Sequence, residues 1–267
     1  KTQEIFSLIS VFIIILVSIF AFTKTLSNDI FVYSLGNWKA PFGIVLVLDQ
    51  FSILMVLVTS LLAFGALWYA ISEGIDKKGA HFHPLFQLQL FGLNGAFLTG
   101  DLFNLFVFFE ILLLASYSLL LHAKGEGRVK AGLHYVVINL VGSTLFLFAV
   151  GTLYGILGTL NIADLSQKVA QLTPENVSVV ASAGLLLLIV FGLKAAMFPL
   201  YFWLPNAYGK TSAPVAALFA IMTKVGIYSI IRVHGTIFGQ NANELAFLNP
   251  SRESQFQGFG VWGLGFG

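Results

Sequence analysis

Residues 101–122, DLFNLFVFFEILLLASYSLLLH, hold a single mid-segment carboxylate, Glu110, in an otherwise apolar run. The run 102–121 has the roughly 20 residues that a helix needs to cross a bilayer. A charged side chain at the bilayer centre costs about 2.5–3.5 kcal/mol on insertion scales. Two lysines further on, Lys194 and Lys224, sit in equally apolar surroundings. The three together cost several kcal/mol unless they meet each other or internal water, and intramembrane ionisable groups mark ion or proton paths. Glu110, Lys194 and Lys224 are therefore the candidate path.

Composition agrees with a membrane chain. Of 267 residues, 57% are hydrophobic and 10% charged, against about 25% charged in ordinary soluble domains. A soluble fold of this size needs more surface charge. The net charge of +2 is too small to point to nucleic acid. There is no cysteine, which excludes disulfides, thiol nucleophiles and iron–sulfur ligation by this chain. The run 5–22 is long enough to span and lacks a small-residue cleavage site after it, so it reads as a span and not a signal peptide.

Seven spans are expected, at 5–22, 44–71, 85–99, 102–121, 133–157, 177–198 and 214–233, which makes the fold class an all-α polytopic helix bundle. The third is short, and Gly100–Asp101 joins it to the fourth as either an antiparallel hairpin or a kinked helix. Segment 27–43, with Gly36, Trp38 and Pro41, reads as a surface turn or small hairpin with an aromatic interfacial anchor. Segment 161–171 has Ile162, Leu165, Val169 and Leu172 at helical spacing, as in an amphipathic surface helix. Lys1, Lys77, Lys78, Lys124, Arg128, Lys130 and Lys210 fall on one side of this layout. Lys24, Lys39, Lys168 and Arg232 fall on the other, so the positive-inside rule puts the N-terminus in the cytoplasm. Residues 1–250 form the membrane domain, and 251–267, with five glycines and no spanning stretch, an irregular tail.

Around Lys194 the chain reads FGLKAAMFPLYFWLPNAYGKTSAP, residues 191–214. Pro199 and Pro205 remove backbone donors, so a helix break is expected near 198–205. Such breaks are tolerated at membrane depth where they are buried in protein or line a wet cavity. A broken helix beside an ionisable residue is common at transporter ion sites. Lys224 lies ten residues after Pro214, in a helix that Thr211 or Ser212 can cap. The competing structural roles are a hydrogen-bonded acid for Glu110, a snorkelling ammonium for Lys194 and an ion pair for Lys224. Asp101 and His234 are accessory path candidates, and Asp49 reads chiefly as an interfacial cap. His81 and His83 lack the acidic or thiol partners of a metal site, and His122 and His134 border the basic loop. No HExxH, phosphate loop or GxSxG element is present, so hydrolases and nucleotide enzymes find no support.

The run GDLFNLFVFFEILLLASYSLLLH (100–122), followed by FGLKAAMFPLYFWLPNAYGKTSAPVAALFAIMTKVGIYSIIRVHG (191–235), resembles the antiporter-like subunits shared by Mrp-type cation/proton antiporters and respiratory complex I. Within them it is most similar to the D-type members of Mrp complexes. The resemblance runs over about 5–250 and places the family's essential glutamate on Glu110, its broken-helix lysine on Lys194 and its next-helix lysine on Lys224. It implies a hydrated polar axis on which Glu110 and Lys194 pair and separate while Lys224 carries the proton onward. The family has one more helix before this chain's first span and two inverted five-helix repeats. The resemblance therefore implies that the first repeat is represented here, in a truncated or split polypeptide.

The function so implied is proton transfer coupled to Na⁺ or another monovalent cation, by a secondary transporter subunit and not an enzyme. It would act beside other membrane subunits in a bacterial or archaeal cell membrane, without a cofactor of its own. The alternatives are a proton-pumping subunit of complex I, with quinone reduction elsewhere as its energy source, and an assembly fragment with no transport of its own.

Overall fold

The structure, a computed structural model, describes residues 1–27, 29–122 and 126–238. The expected tail at 251–267, the end of the expected 1–250 domain and the loop residue Lys124 lie outside the described residues. In chain order come α1 (Thr2–Thr25), β1 (Phe31–Ser34), β2 (Val45–Leu48), α2 (Gln50–Ser72), α3 (Phe82–Leu98), α4 (Leu102–Leu121) and α5 (Glu126–Leu157). Then follow α6 (Ile162–Ala170), α7 (Pro174–Lys194), α8 (Trp203–Lys210) and α9 (Ala213–Ser229). The last helix continues through a π-helical turn, Ile230–His234, into a closing turn, Gly235–Ile237.

Among the described residues, six segments are long and apolar enough to cross a membrane: α1, α2, α4, α5, α7 and α9 with its continuation to Ile237. The remaining expected span is α3, whose 17 residues make about 25 Å of helix. The hairpin alternative holds for α3 and α4. A Cβ at Gly92 would lie 2.9 Å from Leu112 and one at Gly95 2.0 Å from Phe108, so the two helices run antiparallel in close contact. Their connection is stitched on both sides: the Gly100 N–H donates to Val45 O, Ile162 N–H to Gly100 O and Leu102 N–H to Leu160 O, each at 2.9 Å. Backbone groups at this end of the bundle thereby find partners in protein, as a membrane requires.

Four boundaries differ from the sequence expectation, each for a local reason. Segment 27–43 is the start of a two-stranded antiparallel hairpin that extends to Leu48. The second span accordingly begins at Gln50 and not at 44, where Asp49 and Ser52 form a reciprocal capping box. Helix α5 starts well before 133, because its polar first turns continue the helix past the apolar stretch. Helix α9 runs beyond 233 by widening into the π turn.

The fourth concerns the break. Helix α7 ends at Lys194, before either proline. Met197 N–H donates to Gly192 O at 2.9 Å and Ala196 N–H to Leu193 O at 3.1 Å, with Ala196 at φ +54°. This is a Schellman stop with alanine where glycine is usual. Pro199 lies inside the irregular segment 195–202, whereas Pro205 is in the first turn of α8. There its missing N–H has no intrahelical partner to lose. Left-handed alanine carries a strain of about 1–2 kcal/mol, so Ala196→Gly should raise the thermal midpoint in detergent. A lower midpoint would show that residue 196 is not held left-handed.

The core lies between α3, α4, α5, α7 and α9 and is centred on Phe109, Phe146 and Phe191, whose ring centroids are 5.6–6.3 Å apart. At one end Lys77 meets Glu4 at 3.3 Å and Lys210 lies beside Gly127. The hairpin, the α3–α4 connection and α6 gather at the other. Helix α6 confirms the amphipathic reading: Ile162, Leu165 and Val169 are its buried residues.

Candidate functional site

Three helices converge at the level where α7 stops. Glu110 is near the middle of α4, and Lys194 is the last residue of α7. Between them, α5 presents Tyr135, Asn139 and Ser143 at four-residue spacing, and such residues share one helix face. A Cβ at Gly142 would lie 2.9 Å from the Leu193 side chain, so this glycine lets α7 come close to α5 beside the lysine.

The Ser143 hydroxyl donates to Glu110 Oε1, and Lys194 Nζ donates to Ser143 Oγ at 3.4 Å. Glu110 and Lys194 are thus brought together, through a serine bridge instead of the direct pair expected. Lys194 is 7% exposed, so the snorkelling alternative does not hold. Its ammonium lies 5.4 Å from the Phe109 ring centroid, within cation–π range. The lysine also lines a cavity of about 10 Å³, together with Phe109, Asn139, Tyr135 and Met222, near the minimum that admits one water. Asn139 Nδ2 donates to Tyr135 O at 2.9 Å, and the Tyr135 and Ser116 hydroxyls are 2.6 Å apart. Lys194 thus donates to the Ser143–Glu110 bridge and shares a cavity with the Asn139 and Tyr135 side chains. The helix end is held by Trp203, whose indole N–H donates to Leu193 O at 3.1 Å.

The other expected site residues lie elsewhere. Lys224 is exposed on the flank of α9 and does not join the Glu110–Lys194 cluster. Asp101 caps α4, accepting from Asn104 N–H at 2.8 Å; burial raises its pKa above the ordinary carboxylate value despite the cap bonds. His234 does not follow the last span. It is fully buried in the π turn, with Nε2 3.0 Å from Gly184 O, because the helix continues past 233. Arg232, read as a loop charge, is on the same turn and grips Asp49 with two hydrogen bonds of 2.5 and 2.7 Å. His83 pairs with Asp76 at 3.3 Å, and His134 is exposed.

Ser143, Asn139 and Tyr135 escaped the sequence reading. Their signal was the four-residue spacing of polar groups in an apolar span.

Residues 99–249 match the model of the family described as NADH:quinone oxidoreductase/Mrp antiporter, TM. The chain is 57% identical over 211 residues to a protein of Rhizobium meliloti (strain 1021) named as a probable K⁺/H⁺ antiporter component of the D type, covering 79% of this chain and 39% of that one. It is 44% identical over 241 residues to the corresponding D-type component of the Na⁺/H⁺ antiporter of Alkalihalophilus pseudofirmus, covering 90% and 48%. Among solved structures, a chain of the Mrp complex from Dietzia sp. DQ12-45-1b superposes with a TM-score of 0.81 at 35% identity, over 89% of this chain and 44% of that one. This chain thus spans 39–48% of the length of these curated relatives. With more than half of its residues inside the family match, it belongs to the NADH:quinone oxidoreductase/Mrp antiporter transmembrane family and is a multi-pass membrane protein.

Proposed function

We propose that the chain is a proton-translocating part of a multisubunit monovalent cation/proton antiporter, with Glu110, Lys194 and Lys224 as its path. The carrying observation is the Glu110–Ser143–Lys194 relay at the end of a broken helix, with a water-sized cavity that the lysine lines. While the ammonium is bonded to Ser143, the relay between Lys194 and Glu110 is closed. When the lysine turns from Ser143 toward Asn139 and Tyr135, the relay to Glu110 opens. Ser143 can pass a proton because its hydroxyl both donates and accepts.

Lys224 is the onward carrier. It faces out of this chain, and an ammonium on an apolar helix flank needs a polar partner or water. That side is where the path would leave this bundle. Asp101 and His234 stay accessory at most, since each already serves a structural hydrogen bond. Residues 1–250 would form the membrane domain, with 251–267 as a separate tail. The partners are further membrane subunits, and the cation is K⁺ or Na⁺, as the names of the relatives indicate. The location is a bacterial or archaeal cell membrane, with the end bearing Lys77 and Lys210 in the cytoplasm.

The test uses everted vesicles containing the whole complex, with a proton gradient imposed by ammonium dilution and no electron donor. Addition of Na⁺ or K⁺ should collapse the gradient. No response from an assembled complex would sink the antiporter assignment and favour a redox-driven pump or an assembly role. The Glu110→Gln chain should assemble and fail to respond. Unchanged exchange in that variant would remove Glu110 from the path.

A further inference from the structure

Eight residues beyond Lys224, about 12 Å along the helix axis, α9 carries a second charged group that the path does not use. Arg232 binds Asp49, the cap of α2, with Nη1–Oδ2 at 2.5 Å and Nη2–Oδ1 at 2.7 Å. Its Nε and Nη2 also donate to the Tyr228 hydroxyl at 3.1 and 2.9 Å, and that hydroxyl donates to Phe97 O of α3 at 2.7 Å. One side-chain network thus ties α2, α3 and α9 together at the end opposite Lys77 and Lys210.

Aromatic rings fill the space beneath. The guanidinium lies 5.8 Å from the Phe51 ring and 5.3 Å from the Tyr228 ring, and Tyr228 packs at 4.8 Å on Phe51 and 5.0 Å on Phe97. The Arg232 and Asp49 side chains are 21% and 18% exposed, so the network sits at the edge of the bundle, over the packed rings. The π turn holds the arginine in this position, and π turns are frequent at functional sites.

We infer that Asp49 and Arg232 form a gating and positioning site: the pair latches α9, and Lys224 with it, onto α2 and α3, and closes this end of the bundle to water. Neither residue touches the transferred proton. The role rests on the antiporter path proposed above, because a gate needs a path to close. A bidentate guanidinium–carboxylate contact suits it, since it fixes orientation as well as distance.

These 267 residues contain no cysteine, so Ser229→Cys, at a position 1% exposed, adds a reporter whose labelling is read against the unsubstituted complex. In the assembled complex this cysteine should react slowly with a membrane-impermeant maleimide. Asp49→Asn keeps a good helix cap but removes the charge. It should speed labelling several-fold and let an imposed proton gradient decay several-fold faster without added cation. Asp49→Glu should restore most of the seal. Adding Glu110→Gln to Asp49→Asn should stop the leak. Where Asp49→Asn lowers assembly, Arg232→Lys, which keeps the charge and loses the fork, should give the same two changes. Unchanged labelling and leak in an assembled variant would overturn the gate. So would a leak that persists with Glu110→Gln, while the path itself is judged separately by Glu110→Gln alone.

Discussion

Lys194→Ala is expected to abolish cation-driven proton exchange in a complex that still assembles. A loss of at least about 100-fold corresponds to roughly 2.7 kcal/mol at 1.36 kcal/mol per decade. Position is what makes this lysine indispensable. Among the described residues, Lys194 is the group that both donates to the Ser143–Glu110 bridge and lines the cavity shared with Asn139 and Tyr135. Alanine leaves Ser143 bonded to Glu110 and nothing to draw the proton away. Glu110→Gln should fail for the complementary reason: the serine keeps a hydrogen-bond partner, but no carboxyl remains there to change protonation. The double variant should then be no worse than either single one, because each already removes the same step. Ser143→Ala should lose less, about 10-fold, since a water can take over a hydroxyl's bridging role. Additive losses in the double variant would mean that Glu110 and Lys194 act in separate routes.

The parts of this site that were legible in the sequence are the ones that burial makes expensive. Glu110 and Lys194 stand out because a charge in an apolar run demands an explanation. Ser143, Asn139 and Tyr135 do not, since neutral polar residues in a span are cheap and ordinary. Only their common helix face gives them away. The break was legible in kind but not in place. Two prolines announced it, yet the helix stops at Lys194 through a Schellman motif built on Ala196, a residue whose type carries no stop signal. Arg232 was misread because apolar periodicity cannot foresee a π turn, and the ion pair that rewards it joins residues 183 positions apart. The outward direction of Lys224 was illegible for a related reason. Helix α9 is apolar nearly all round, so its sequence does not say which side faces the bundle.

What decides that direction is a glycine, and Gly226→Ala should be nearly as damaging as loss of the lysine. A Cβ at Gly226 would lie 2.5 Å from Ala195 N, 2.8 Å from Ala195 Cα and 2.8 Å from Phe191 O. All three are backbone atoms at the end of α7, so no side-chain rotation can make room. Either α9 or the broken end must move by about 1 Å to reach ordinary contact. Overpacking of this kind costs about 1–3 kcal/mol, which should appear as a lower thermal midpoint of the purified complex. The functional loss should be larger than that figure suggests. Ala195 follows Lys194 directly, so the displaced backbone carries the ammonium away from Ser143, and misplacement by 1 Å can cost about 100-fold in rate. Gly235→Ala, on the same helix with nothing within 4 Å of the added methyl, controls for helix propensity and should leave exchange intact. Full exchange in assembled Gly226→Ala would show that the α7–α9 contact does not hold the lysine in register. The convergence of Lys194, the helix stop and the glycine contact within a few residues argues the opposite: the packing that turns Lys224 outward is the same packing that aims Lys194 inward.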